Sequence, residues 1–105
     1  MRRGEVWWAD LRGQAGRRPV LLLSRNEAYS VRKLVTVAPL TTRVRKIPVE
    51  VPLGPEDGLP RECVVNLDSL VTISKSSLHD PICLLRPEKI SAVDQAVHFA
   101  LALQN

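Results

Sequence analysis

A chain of 105 residues, 45% apolar and 25% charged, has room for one compact domain (1–105) and not for two, with a globular rather than disordered or collagen-like composition. Apolar runs such as Val20-Leu21-Leu22-Leu23 fall far short of a membrane span of ~18–20 residues. Met1-Arg2-Arg3 leads straight into Gly4-Glu5 with no leader-like apolar segment, so a cytoplasmic protein is expected, with no membrane partner. The net charge of +4 conceals an asymmetry: residues 1–46 carry eleven Lys or Arg against three acids, and nine of the eleven are Arg.

In chain order, residues 5–11 (Glu-Val-Trp-Trp-Ala-Asp-Leu) are aromatic and β-branched and predict a first strand. Residues 12–18, with two glycines, read as a loop, and Pro19 to Ser24 as a short buried strand. Asn26 to Ser30 suits a turn or short helix. Residues 34–41 predict a third strand in which Pro39 must sit at an edge, a bulge or the end. A basic polar hairpin follows, then residues 47–53, which alternate strictly; their prolines cannot donate to a ladder, so this strand is expected at the periphery. Residues 54–60 form a Gly/Pro turn. Residues 62–72 are one long strand or two bent around Asn66 to Ser69, residues 74–81 a polar loop, and residues 82–85 a last strand. After Arg86, Pro87 suits a first helical position. Ile90, Val93, Val97, Ala100, Leu101 and Gln104 then stack at helical spacing. The expected architecture is mainly β with a C-terminal α-helix: a small, strongly curved sheet or barrel.

Arg suits planar, forked contact with phosphate better than Lys does, so the basic N-terminal half points to a polyanion, either a nucleic acid or an acidic peptide. A solvated basic face without a partner accounts for the charge equally well. Cys63 and Cys83 have no Cys or His neighbours at zinc-ligand spacing, so no metal site is expected and the thiols read as small buried hydrophobes. Trp7 and Trp8 point to opposite faces of a strand, one toward the core and the other toward a base or an interface. His79 and His98 raise a two-histidine acid–base mechanism.

Several segments, taken in order, resemble the MazF/PemK family of toxin endoribonucleases. They are Arg3-Gly4-Glu5-Val6-Trp7, Gly16-Arg17-Arg18-Pro19-Val20-Leu21, Val37-Ala38-Pro39-Leu40-Thr41, Glu50-Val51-Pro52-Leu53, Gly58-Leu59, Cys63-Val64-Val65, Asp68, Thr72 and the terminal helix with Val93-Asp94. The resemblance covers nearly the whole chain. It implies a homodimer of curved, SH3-like barrels, of the CcdB/MazF-like kind. It also implies metal-independent, cofactor-free, sequence-specific cleavage of single-stranded RNA, arresting translation and growth. A cognate acidic antitoxin, MazE-like, would neutralise the activity, and DNA would be contacted only through the antitoxin complex. Arg18 matches the family's catalytic arginine and Thr41 its catalytic threonine. Arg17, Thr42, Arg43, Arg45, Asp68 and Ser69 are the expected RNA-binding residues.

The chemistry fits those residue types. RNA carries its own nucleophile, the 2′-hydroxyl, and cleavage to a 2′,3′-cyclic phosphate and a 5′-hydroxyl needs alignment and positive charge on the crowded phosphorane. Arg18 supplies fixed charge and forked donors, and Thr41 one short hydrogen bond; Arg stays protonated and is a poor base. Read without the resemblance, Arg18 is a loop charge, Thr41 a strand end and Asp68 a turn carboxylate. The histidines fall on no motif position.

Departures from the family pattern are local. The loop from Arg12 to Arg17 is shorter than usual, so cleavage specificity does not transfer. Ser69 and Val71 replace a Gln and an Arg, Asn66 stands where some members carry an Arg, and Arg86 replaces a capping Ser. The alternatives from other classes are a CcdB-like gyrase poison, which would depend on its helix tail, and a basic nucleic-acid-binding barrel that does not cleave.

Overall fold

The structure, a computed structural model, describes residues 1–11, 13 and 16–103. The expectations that fall on Arg12, on the interior of the shortened first loop and on Gln104 lie outside the described residues. The elements run β1 (Glu5–Asp10), β2 (Arg17–Leu22), α1 (Ala28–Val31), β3 (Leu34–Thr41), β4 (Glu50–Leu53), β5 (Cys63–Asn66), β6 (Val71–Ser74), β7 (Leu78–Leu84) and α2 (Pro87–Ala100). Single 3-10 turns sit at Pro55–Asp57 and Lys75–Ser77. The sheet is antiparallel, ordered β4-β5-β3-β2-β1-β7, with β6 added to β3.

β2 is apolar at consecutive positions because both its faces are covered. Val20 and Leu22 pack with Ala9, Val35, Val37 and Leu78, while Leu21 packs on the other side with Val6, Ala38, Leu40 and Val93 of α2. Each fully buried Val or Leu among them contributes ~1.5–3 kcal/mol. α2 begins at Pro87 as its sequence predicts, with Arg86 at the cap position making no side-chain cap bond. It lays Val93 and Ala96 into the core. The Arg86 guanidinium instead reaches the buried Asp57 carboxylate at 3.2 Å, and the other oxygen of Asp57 accepts from Gly54 N–H at 3.0 Å. This fixes the Pro55–Asp57 turn to the start of the helix. Gly58 closes that turn at φ 99°, where a Cβ would stand 2.8 Å from the Cβ of Cys83.

The sequence expectations shift in three places, and one open alternative is decided. β2 starts at Arg17 rather than Pro19, because pairing with β1 (Ala9↔Arg18, Asp10↔Arg17) draws the two arginines into the ladder. Residues 47–49 stay outside β4: Glu50 N–H returns to Ile47 C=O in a turn, and β4 lies at one end of the sheet, peripheral as expected. Of the two readings open for residues 62–72, the two-strand one holds: β5 and β6 take opposite ends of β3, Leu40 and Thr41 pairing with β5 and Leu34 to Val37 with β6. The polar stretch expected as a loop at 74–81 contributes the start of β7, since backbone pairing to β1 outweighs polar composition.

β7 pairs with β1 irregularly. Between Ala9↔Leu78 and Trp7↔Pro81, Trp8 alone stands against His79 and Asp80. Such a bulge re-aims side chains, and here both residues of β7 reach across: His79 Nε2 lies 2.6 Å from Asp10 Oδ2, and Arg17 Nη1 donates to Asp80 Oδ2 at 3.2 Å.

Candidate active site

The strands part at one end of the β2–β3 ladder. Its last paired residues are Val20↔Pro39. Leu23 N–H donates to Thr36 C=O, so alternation along β2 turns the backbone of residues 23, 21 and 19 toward β3. Position 19 is a proline with no N–H, and the next rung lacks its donor. Beyond it β2 stays with β1 while the end of β3 turns to β5. A groove of about 750 Å³ opens where they separate.

Arg17, Arg18, Thr41, Thr42, Arg43 and Arg45 all line this groove. Six of the eight sequence candidates are thus brought together from two stretches of chain, 17–18 and 41–45. Asp68 and Ser69 are not among the lining residues; they occupy the turn between β5 and β6, where Asp68 N–H donates to Asn66 Oδ1 at 2.9 Å. Arg61 and Asn66 line the groove without having been candidates, and Trp8, Leu11, Leu59 and Pro60 give it apolar walls. Arg61 sits alone between Pro60 and Glu62 with nothing in its neighbourhood to mark it, whereas the alternation of Trp7 and Trp8 had signalled that one indole would leave the core. That one is Trp8; Trp7 packs against Ala9, Val20 and Leu78, and its Nε1 donates to Glu5 at 2.9 Å.

The lining is electrostatically one-sided: among the described residues it holds five arginines and no Asp or Glu. Arg18 is exposed and Thr41 half-buried. Thr41 Oγ1 accepts from Arg43 N–H at 3.1 Å, which occupies a lone pair and leaves the hydroxyl proton to donate outward. Beneath the rim lies Glu50, its side chain 1% exposed. Its Oε1 accepts from the backbone N–H groups of Arg45 (2.8 Å) and Lys46 (3.1 Å), and its Oε2 from Arg45 Nε at 3.0 Å. The backbone bond from Arg45, with the guanidinium and Lys46 adding to it against burial, holds this carboxyl below the usual glutamate range. The result is a fixed loop that carries Arg43 and Arg45 to the groove.

Cys63 lines the groove as a buried free thiol, and Cys83 is free and half-buried. Burial pushes both thiols up, with the nearby Asp57 charge adding to it, so neither is activated as a nucleophile. His79 is held by Asp10 and His98 lies on α2 near its end, and neither lines the groove. Among the described residues no three His, Cys, Asp or Glu gather as metal ligands, and no helix is long and apolar enough to cross a membrane.

Residues 2–101 match the family described as PemK-like, MazF-like toxin of type II toxin–antitoxin system. The chain is 39% identical over 100 residues to a probable endoribonuclease, MazF5, of Mycobacterium tuberculosis, covering 94% of this chain and 91% of that one. Among solved structures it is similar to the Mycobacterium tuberculosis toxin MazF-mt6 (34% identity, TM-score 0.88, 96% of this chain and 99% of that one). It is also similar to an endoribonuclease from a mycobacterial species in complex with its cognate antitoxin (32% identity, TM-score 0.89, 100% and 98%).

Proposed function

The chain belongs to the PemK-like, MazF-like family of type II toxins and is an endoribonuclease of the MazF type with the MazF-like fold; we propose that it cleaves single-stranded RNA, without metal or cofactor, by attack of the ribose 2′-hydroxyl on the adjacent phosphate. A 2′,3′-cyclic phosphate and a 5′-hydroxyl are the products. The observation that carries this reading is the gathering of Arg18 and Thr41 in one groove whose lining, among the described residues, has five arginines and no carboxylate.

The groove suits a polyanion that supplies its own nucleophile. Arg18 holds the non-bridging oxygens with forked, charged donors, and its charge gains value as negative charge builds on the phosphorane. Thr41 donates its outward proton to the same phosphoryl group. Arg17, Thr42, Arg43 and Arg45 bind flanking phosphates or bases, and Trp8 offers a ring on which a base stacks. Asp68 and Ser69, off the groove, drop out of this contact set.

The cell compartment is the cytoplasm, where message cleavage stops growth. A cognate antitoxin neutralises the toxin by laying an acidic segment over the same arginines, so that it competes with RNA and its binding weakens with salt. The working unit is a homodimer of curved, SH3-like barrels. Neither the gyrase-poison alternative nor the non-cleaving barrel is favoured by a site feature.

The test is cleavage of single-stranded RNA in excess chelator with analysis of the product ends. Cyclic phosphate and 5′-hydroxyl termini, absent with Arg18→Ala, are expected. Loss of cleavage on chelation, or 5′-phosphate products, would overturn the mechanism.

A further inference from the structure

Asn66 ends β5 on the groove lining. The turn that follows orients its carboxamide: Asp68 N–H donates to Oδ1 at 2.9 Å. A backbone N–H can bond only the carbonyl end of a carboxamide, so the placement of oxygen and nitrogen follows from chemistry. Oδ1 is thereby committed to the turn. The Nδ2 amine makes no hydrogen bond among the described residues and is the group Asn66 has to offer a ligand.

The neighbouring polar side chains offer the same thing. Arg61 and Arg45 are donors only, and the Thr41 hydroxyl already accepts from Arg43 N–H and has its proton to give. No carboxylate among the described lining residues stands ready to accept. A nucleobase entering the groove edge-on therefore meets donors. Uracil and guanine present exocyclic carbonyl oxygens to such a surface, whereas cytosine and adenine present exocyclic amines in the corresponding place, and an amine set against an amine leaves both unpaired.

We infer that Asn66 is a specificity-determining residue that selects a carbonyl-bearing base, uracil or guanine, over an amine-bearing one at one nucleotide of the cleavage site. This rests on the proposed RNA-cleaving groove. It assigns base reading to the strand end at Asn66 rather than to Asp68 and Ser69 on the turn beyond.

The Asx turn supplies a sharp test. Asn66→Asp keeps an oxygen for Asp68 N–H but turns an acceptor toward the groove; Asn66→Ala removes both. Purified wild type and both variants are incubated with a single-stranded RNA library of randomised sequence in excess chelator, and the new 5′ ends are sequenced. Wild type is expected to require U or G at one position of its cut site. Asn66→Asp shifts that position about tenfold toward C or A, and Asn66→Ala flattens it, the size expected for one base contact. Thermal melting verifies that each variant is folded; should Asn66→Ala be unfolded, Asn66→Asp, which retains the turn, carries the comparison. Variants that slow cleavage uniformly at unchanged sequence preference overturn the inference, since phosphate contact or turn shaping acts alike on all sequences. A wild type that cuts no RNA overturns the groove reading and this inference together, whereas a cleaving wild type whose variants share its profile overturns this inference alone.

Discussion

Arg18 and Thr41 each lie two residues beyond Val20↔Pro39, the last rung that joins β2 to β3, so the two candidate catalytic groups stand on strands at the point where those strands diverge. One follows β1 and the other β5. If both act on one phosphoryl group, their removal must slow chemistry without unfolding the protein. Arg18→Ala is expected to reduce cleavage ~10²–10³-fold. Thr41→Val should cost ~10–100-fold, the worth of a hydrogen bond to a charged group, while Thr41→Ser retains most activity. Single-turnover rates with melting curves measure this; full activity in Arg18→Ala refutes the assignment.

Pro19 separates the strands by withholding one amide proton. Pro19→Ala returns the donor that the next rung toward Leu40 requires, and the groove should narrow. RNA cleavage is expected to fall severalfold through KM, with little change in melting temperature. Hydrogen exchange locates the new bond: a protected amide at residue 19 is expected, and a freely exchanging one with unchanged KM contradicts the account.

Glu50 ties the loop bearing Arg43 and Arg45 to the sheet. Its folded-state pKa lies below the ordinary 4.5, so ionised Glu50 adds stability that is complete above that value and is lost as pH falls through the folded one. Glu50→Gln should melt lower than wild type at neutral pH, and the gap should close as the pH drops below 4.5. Melting curves across pH decide it; a gap that stays constant removes the carboxylate from the explanation.

If Arg17 binds RNA as proposed, Asp80 competes for it. Their ion pair at 3.2 Å is exposed, 51% and 69% at the two side chains, and so contributes ~0–1 kcal/mol to stability. Asp80→Asn should leave melting unchanged and tighten single-stranded RNA binding a fewfold at low salt, with a steeper salt dependence as one more cation engages phosphate. Titrations at several salt concentrations test it. Unchanged affinity would show that Arg17 does not face the backbone.

Much of this architecture was legible in the sequence because the patterns were local. The helical stripe from Ile90 to Val97 and the apolar run after Pro19 each announce their element and its burial, whereas Leu101 of the same stripe lies past the helix and is exposed. What stayed hidden depends on pairing between distant segments. Nothing near Arg17 and Arg18 signals that β1 will extend the ladder over them, and nothing near His79 and Asp80 signals a bulge against Trp8. Arg61 becomes a groove residue only because the chain turns at Gly58 and returns alongside β4. The resemblance located Arg18 and Thr41, whereas the placement of Asp68 outside the groove required the turn geometry at Asn66.

The bulge has a consequence for how the sequence is free to change. A regular ladder would set one residue of β7 against Trp8; the surplus one bulges there while the flanking pairs Ala9↔Leu78 and Trp7↔Pro81 stay in place. Deleting His79 or Asp80 would leave one residue against Trp8 and restore a regular ladder, keeping Leu78 opposite Ala9 but removing one of the two side chains that reach Asp10 and Arg17. The extra residue thus serves the ties across the strand ends rather than the pairing, and a chain shortened by one at this point would trade an ion-pair arm for a straighter edge.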